Sequence, residues 1–108
     1  MGSDQPVEVV ITAPDGEWLR GFLRALVQER WVAAGHLYPF DTIYQWQGQV
    51  HEKTEYRGVL YTRAGLVDRI VERTRREHPY EVPHVTAVPI SVGNPDWLGW
   101  VLAETDSR

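Results

Sequence analysis

Thr42-Ile43-Tyr44-Gln45-Trp46-Gln47-Gly48-Gln49-Val50 is the stretch on which the fold of this chain turns. Large and polar residues alternate up to Trp46, as they do along an extended strand. Gln47-Gly48-Gln49 reads as a turn in which Gly48 supplies a positive φ. Val50 to Thr62 then returns as a second strand. Tyr56, Gly58, Leu60 and Thr62 fall on one face of it, and Glu55, Arg57, Val59 and Tyr61 on the other. The resulting hairpin is longer than a sheet in a chain of 108 residues needs, and it carries Tyr44, Trp46, Tyr56 and Tyr61. A protruding two-stranded aromatic arm is hard to stabilise alone, so another copy of the chain is expected to cover it.

A strand and a helix precede the hairpin, and a helix and a strand follow it. Val7 to Ala13 is β-branched and nearly continuous in apolar character, as suits a central strand. Pro14-Asp15-Gly16 breaks it. Trp18, Leu19, Phe22, Leu23, Leu26 and Val27 then recur at helical spacing, giving an amphipathic helix from about Gly16 to Arg30. Gly21 inside that helix suggests a close backbone approach. Val32 to Tyr38 reads as a strand interrupted by Pro39. Beyond the hairpin, Leu66, Val67, Ile70, Val71 and Thr74 mark a second helix ending at Glu77. The crossing His78-Pro79-Tyr80-Glu81-Val82-Pro83 follows, where two prolines forbid helix and central strand alike. It packs an imidazole, a phenol and a carboxylate into a rigid loop, where binding groups tend to sit. Val85 to Pro89 reads as a third core strand of buried type. Gly93-Asn94-Pro95-Asp96 is a turn, and Trp97 to Leu102 a short helix or strand whose tryptophans pack.

The order strand, helix, hairpin, helix, strand predicts an α+β chain with an antiparallel sheet and two helices on one face. This is the split β-α-β arrangement of the ferredoxin-like fold. A single domain is expected over 7–103, with frayed tails at 1–6 and 104–108.

Composition excludes several classes of function. With no cysteine there is no disulfide, thiolate metal site or thiol nucleophile. Eleven basic residues against fifteen acidic ones give a net charge of −4, which argues against nucleic acid or an anionic membrane as partner. The cluster Arg69, Arg73, Arg75 and Arg76 alternates with acids and reads as a solvated helix face. No apolar run reaches a membrane span and no signal-peptide pattern opens the chain, so a cytoplasmic location is the expectation. Neither a G-x-S-x-G elbow, a P-loop nor a G-x-G-x-x-G loop is present, and no enzymatic activity is expected.

Several segments resemble those of one family. They are Thr12-Ala13-Pro14-Asp15, Glu29-Arg30-Trp31-Val32-Ala33-Ala34, Thr42 to Gly48, Glu55 with Tyr61-Thr62-Arg63, His78 to Pro83, and Gly93 to Trp100. In unbroken order from Val7 to Val101 they resemble the CutA family, the divalent-cation tolerance proteins. The resemblance implies a tight homotrimer, similar in architecture to the PII signalling proteins, with hairpins paired between subunits. It implies a role in the response to divalent metal ions, copper above all, as a ligand- or metal-binding signalling module. A PII-like small-molecule sensor, or a protein-interaction scaffold without a physiological metal site, is the alternative. The family's copper site would fall on Ile11, Glu77 and His78, which leaves His78 and Glu77 as metal candidates and copper or zinc as the cation. A small ligand would lie in a cleft between subunits, with Tyr44, Trp46, Glu55, Tyr80 and Glu81 as its candidate lining.

Overall fold

The computed structural model describes residues 2–106. Its elements are β1 (Pro6–Ala13), α1 (Gly16–Gln28), β2 (Ala34–Trp46), β3 (Gln49–Arg63), a 3-10 turn (Ala64–Leu66), α2 (Val67–Glu77), β4 (Val85–Pro89) and α3 (Pro95–Ala103). The strands form one antiparallel sheet in the order β2-β3-β1-β4. The described residues are thus α+β, with α3 added to the two helices expected on one face.

Alternation along β1 decides where the core lies. Val7, Val9, Ile11 and Ala13 are fully buried, and they pair across to Thr62, Leu60, Gly58 and Tyr56 of β3. Leu19, Phe22, Leu23 and Leu26 of α1 and Ile70 of α2 close over this face. Each fully buried Leu, Ile or Val contributes about 1.5–3 kcal/mol relative to exposure. Asp15 caps α1 by accepting the Glu17 N–H at 2.9 Å. The helix ends at Gln28, short of Arg30, because Arg30 turns into the left-handed region at φ 64°. Its N–H reaches Val27 O, and the Trp31 N–H reaches Leu26 O, which satisfies the last carbonyls.

Three expectations are corrected. The first concerns β2, which begins at Ala34, not Val32, and runs through Pro39 without a break. Its pairing with β3 keeps one register from Trp46↔Gln49 to Ala34↔Tyr61. Trp46 and Gln49 close a tight turn as a hydrogen-bonded pair. Counting back in alternation puts Pro39 in a non-hydrogen-bonded pair, its nitrogen turned to the open edge. The ring therefore costs no ladder bond. Second, β4 is an edge strand bonded only to β1; Val85 is half-buried and Thr86 to Pro89 are exposed. Third, Gly21 is exposed with nothing near its missing Cβ. The close approach is at Gly35, where a Cβ would meet the Leu23 side chain at 2.6 Å.

The terminal segment resolves to a helix, α3, capped by Asn94 with Pro95 in its first turn. It packs on the other side of the sheet, with Trp97 set edge-on against Tyr61 at 4.9 Å. Val101 is its buried residue, while Trp97 and Trp100 stay 37% and 42% exposed. Arg63, itself buried, holds α3 through the Leu102 carbonyl and the Thr105 hydroxyl and pairs with Asp4. The flanking residues are tied in as well. Ala64 and Gly65 donate to the carbonyls of Gln5 and Ser3 at 2.8 and 2.9 Å, and the Asp106 N–H reaches Arg30 O at 2.8 Å. Of the tails, Met1, Ser107 and Arg108 lie outside the described residues.

The basic cluster divides. Arg75 and Arg76 pair with Glu72 at the surface, as expected of a solvated face. Arg73 instead grips both carboxylate oxygens of Glu29, at 3.0 and 2.8 Å, and lies 5.0 Å from the Trp31 ring. It therefore fastens α2 to the end of α1.

Candidate functional site

β3 is longer than β1, and this difference makes the arm. β1 pairs β3 only as far as Ala13↔Tyr56, so the pairs from Phe40↔Glu55 to Trp46↔Gln49 have no third strand. The molecule is accordingly 44 Å long and only 25 × 22 Å across. Gln47 at φ 52° and Gly48 at φ 79° form the tip, both residues positive as the right-handed twist of a hairpin prefers. Gln49, expected in the turn, is the first residue of β3.

Strand alternation sends Phe40, Thr42, Tyr44 and Trp46 to one face of the arm, with Glu55, Lys53 and His51 opposite them. The double-proline crossing lies against that face. Between them is a cleft of about 410 Å³, lined among others by Tyr44, Trp46, Glu55, Tyr80, Glu81 and His84. All five residues read from the sequence as cleft lining meet there, although they come from two strands and a loop. Phe40, Thr42, Thr12, Pro79 and Val82 complete the wall.

His78 pegs the loop in place. Its Nδ1 accepts the Tyr80 N–H at 2.9 Å, so its Nε2 is the donor to Thr12 O at 2.7 Å. Trp18 packs on the ring edge at 5.0 Å. Both ring nitrogens are satisfied within the chain. Glu77 pairs with Arg73 at 3.0 Å, and Ile11 is fully buried. The metal candidates His78 and Glu77 are thus not brought together toward an ion. Among the described residues no three His, Asp or Glu side chains gather as a metal centre requires. Within the described residues, His78, Glu77 and Ile11 do not form a donor set that fits a copper or zinc ion.

Pegging His78 delivers Tyr80 to the arm. Its phenol donates to Glu55 Oε2 at 2.7 Å and accepts from Lys53 Nζ at 2.6 Å. Lys53 also lies 3.3 Å from Glu55, whose side chain is only 5% exposed. Burial pushes the Tyr80 phenol above its ordinary range, and the bond with Glu55 adds to that shift. The hydrogen bond with Tyr80 is the main reason Lys53 is held well above the ordinary lysine range. Phenol, ammonium and carboxylate therefore form one clasp between loop and arm. Lys53 was not among the sequence candidates. Its position two residues before Glu55, on the same strand face, was the available signal. Further down the same face, Arg57 keeps its Nε buried with no hydrogen-bond partner among the described residues. Burial and the Arg57 charge together push the His84 imidazole down.

The α+β architecture, a four-stranded antiparallel sheet with three helices, matches that of solved divalent-cation tolerance proteins. The structure of such a protein from Thermus thermophilus superposes with a TM-score of 0.88, covering 94% of this chain and 99% of that one at 36% identity. The periplasmic divalent cation tolerance protein CutA of Archaeoglobus fulgidus, at 23% identity, shares the fold with a TM-score of 0.90 over 94% and 99% of the two chains. In sequence, the chain is 37% identical to mouse protein CutA over 98 residues, covering 90% of this chain and 55% of that protein. It thus spans about half the length of the mouse relative. Residues 7–104 match the family model described as CutA1 divalent ion tolerance protein, and the chain belongs to that family.

Proposed function

We propose that this CutA-family chain assembles into a homotrimer of ferredoxin-like protomers. Its task is to bind a small ligand in a cleft between subunits during the response to divalent metal ions such as copper, without catalysing a reaction. The observation that carries the reading is the convergence of Tyr44, Trp46, Glu55, Tyr80 and Glu81 on one cleft beside an arm that a single chain leaves uncovered. Ile43 and Val50 on the arm are 67% and 66% exposed, and Val88 on the free β4 edge is 53% exposed. Such surfaces favour contact between copies, as does the unpartnered Arg57 Nε on the same sheet. Strand order β2-β3-β1-β4, with helices between β1 and β2 and between β3 and β4, supports the split β-α-β reading.

Light scattering at micromolar concentration is the first test. It should return three times the 12.4 kDa of one chain, and a folded monomer would overturn the trimer. The second test is a strain lacking the gene. It should lose tolerance to copper or another divalent cation and regain it with the wild-type chain; unchanged tolerance would retire the metal role.

The engagement of His78 and Glu77 favours a second reading, a PII-like small-molecule sensor or interaction scaffold with no physiological metal site. Calorimetry on tag-free protein separates the two. Weak copper binding that is not selective over zinc fits the sensor, whereas a stoichiometric submicromolar site lost in His78→Ala fits the metal role. For location we propose the cytoplasm, testable by fractionation. No helix among the described residues is long and apolar enough to cross a membrane. The acidic balance favours neither nucleic acid nor membrane as partner.

A further inference from the structure

We propose that the cleft takes a small organic cation with a flat aromatic body, its ring stacked on Trp46 and Tyr44 and its ammonium held by Glu81. This rests on the cleft being the ligand site and names the chemistry it selects.

The two carboxylates of the cleft are not equivalent. Glu55 is already taken by Tyr80 and Lys53. Glu81 is exposed, lines the cleft and has no hydrogen bond or ion pair among the described residues. It is the open counter-charge. Around it Phe40, Tyr44, Trp46 and Tyr80 present aromatic surface, whose faces carry negative potential. One of these rings already has a cation beside it. The Lys53 ammonium lies 5.7 Å from the Tyr44 ring centre, within the reach of cation–π attraction. An anionic guest would meet the uncompensated Glu81 carboxylate, and a neutral one would leave it unused. His84 at the wall offers an anion no help near neutral pH, because burial and Arg57 disfavour its charged form. A cleft of about 410 Å³ has room for one ring and a short amine chain.

Three near-isosteric probes test this on the full chain in its native assembly: 2-phenylethylamine, 2-phenylethanol and 3-phenylpropionate. Calorimetric titration at neutral pH is read together with the Trp46 indole N–H resonance, assigned through Trp46→Phe. The amine should bind about tenfold tighter than the alcohol, the scale of one charge-assisted contact. The propionate should bind more weakly than either. Glu81→Gln should keep the assembly and melting point and bring the amine down to the affinity of the alcohol. Equal affinities of amine and alcohol would overturn the cation while leaving the cleft a site for a neutral aromatic. Tightest binding of the propionate would overturn the charge assignment outright. If Glu81→Gln retained the amine preference, Glu81 would not be the counter-ion. No binding by any probe, with the Trp46 resonance unmoved, would overturn both this proposal and the cleft as a small-ligand site.

Discussion

The body of the molecule and its arm are built from the same two strands and solve opposite problems. In the body, β3 lies between β2 and β1, and α1 and α2 cover one face so completely that Val7, Val9 and Ile11 are fully buried. Along the arm, β3 pairs with β2 alone among the described strands, and Ile43 and Val50 remain two-thirds exposed. A third strand and a helical layer supply stability by area, whereas the arm depends on a few directional contacts at its root. The lesson is one of division: the body holds itself together, and the arm is held by the loop clasp and offers the rest of its surface outward.

Breaking the body should cost most. Leu26→Ala removes a fully buried side chain from the α1 face and is expected to lower unfolding free energy by about 2–5 kcal/mol in denaturant titrations. The root of the arm ranks next. Glu55→Ala leaves the Tyr80 hydroxyl and Lys53 without their carboxylate and is expected to cost about 1–3 kcal/mol. A loss as large as that of Leu26→Ala would erase the distinction between the two regions.

Alkali should loosen the clasp before the body. Tyr80 and Lys53 both have folded pKa values raised above their unfolded ones. Their contribution is therefore full below about pH 10, the unfolded range of both groups, and is lost as pH rises through the folded values. Phenolate absorbance should display two tyrosines titrating late, Tyr61 and Tyr80, and Tyr80→Phe should remove one of the two steps while leaving that of Tyr61. The smallest effect belongs to His84. Its folded pKa is depressed, so below the unfolded value of about 6.5 the unfolded chain takes up the proton first. Stability should fall slightly as pH drops from there to the folded value, and His84→Gln should flatten that slope.

Periodicity carried most of the body and half of the site. Alternation in β3 sorted its residues onto the two faces they occupy, because sheet parity is a local property of the chain. Alternation, with the resemblance, also selected Tyr44 and Trp46, which share a face by spacing alone. What escaped was non-local. Nothing near His78 says that its Nε2 will donate to the Thr12 carbonyl, a backbone group supplied by another element. Apolar content in Val85–Pro89 suggested burial, yet only the strand order reveals that β4 lies at an edge. Gly21 looked like a contact point and Gly35 did not, since a missing Cβ matters only where a partner such as Leu23 fills its place.

Pro39 also bears on how large an assembly can become. The outer side of β2 offers a row of backbone donors at every second residue, Gly35, Leu37, Asp41, Ile43 and Gln45, with Pro39 in the middle of the row. A free row of this length is a template on which strands could add without limit. One missing donor divides it into two short segments, each able to dock a strand and neither able to read through into the other. The same residue that leaves the internal ladder intact thus works outward as a terminator, favouring closed associations of a few copies over open-ended fibres.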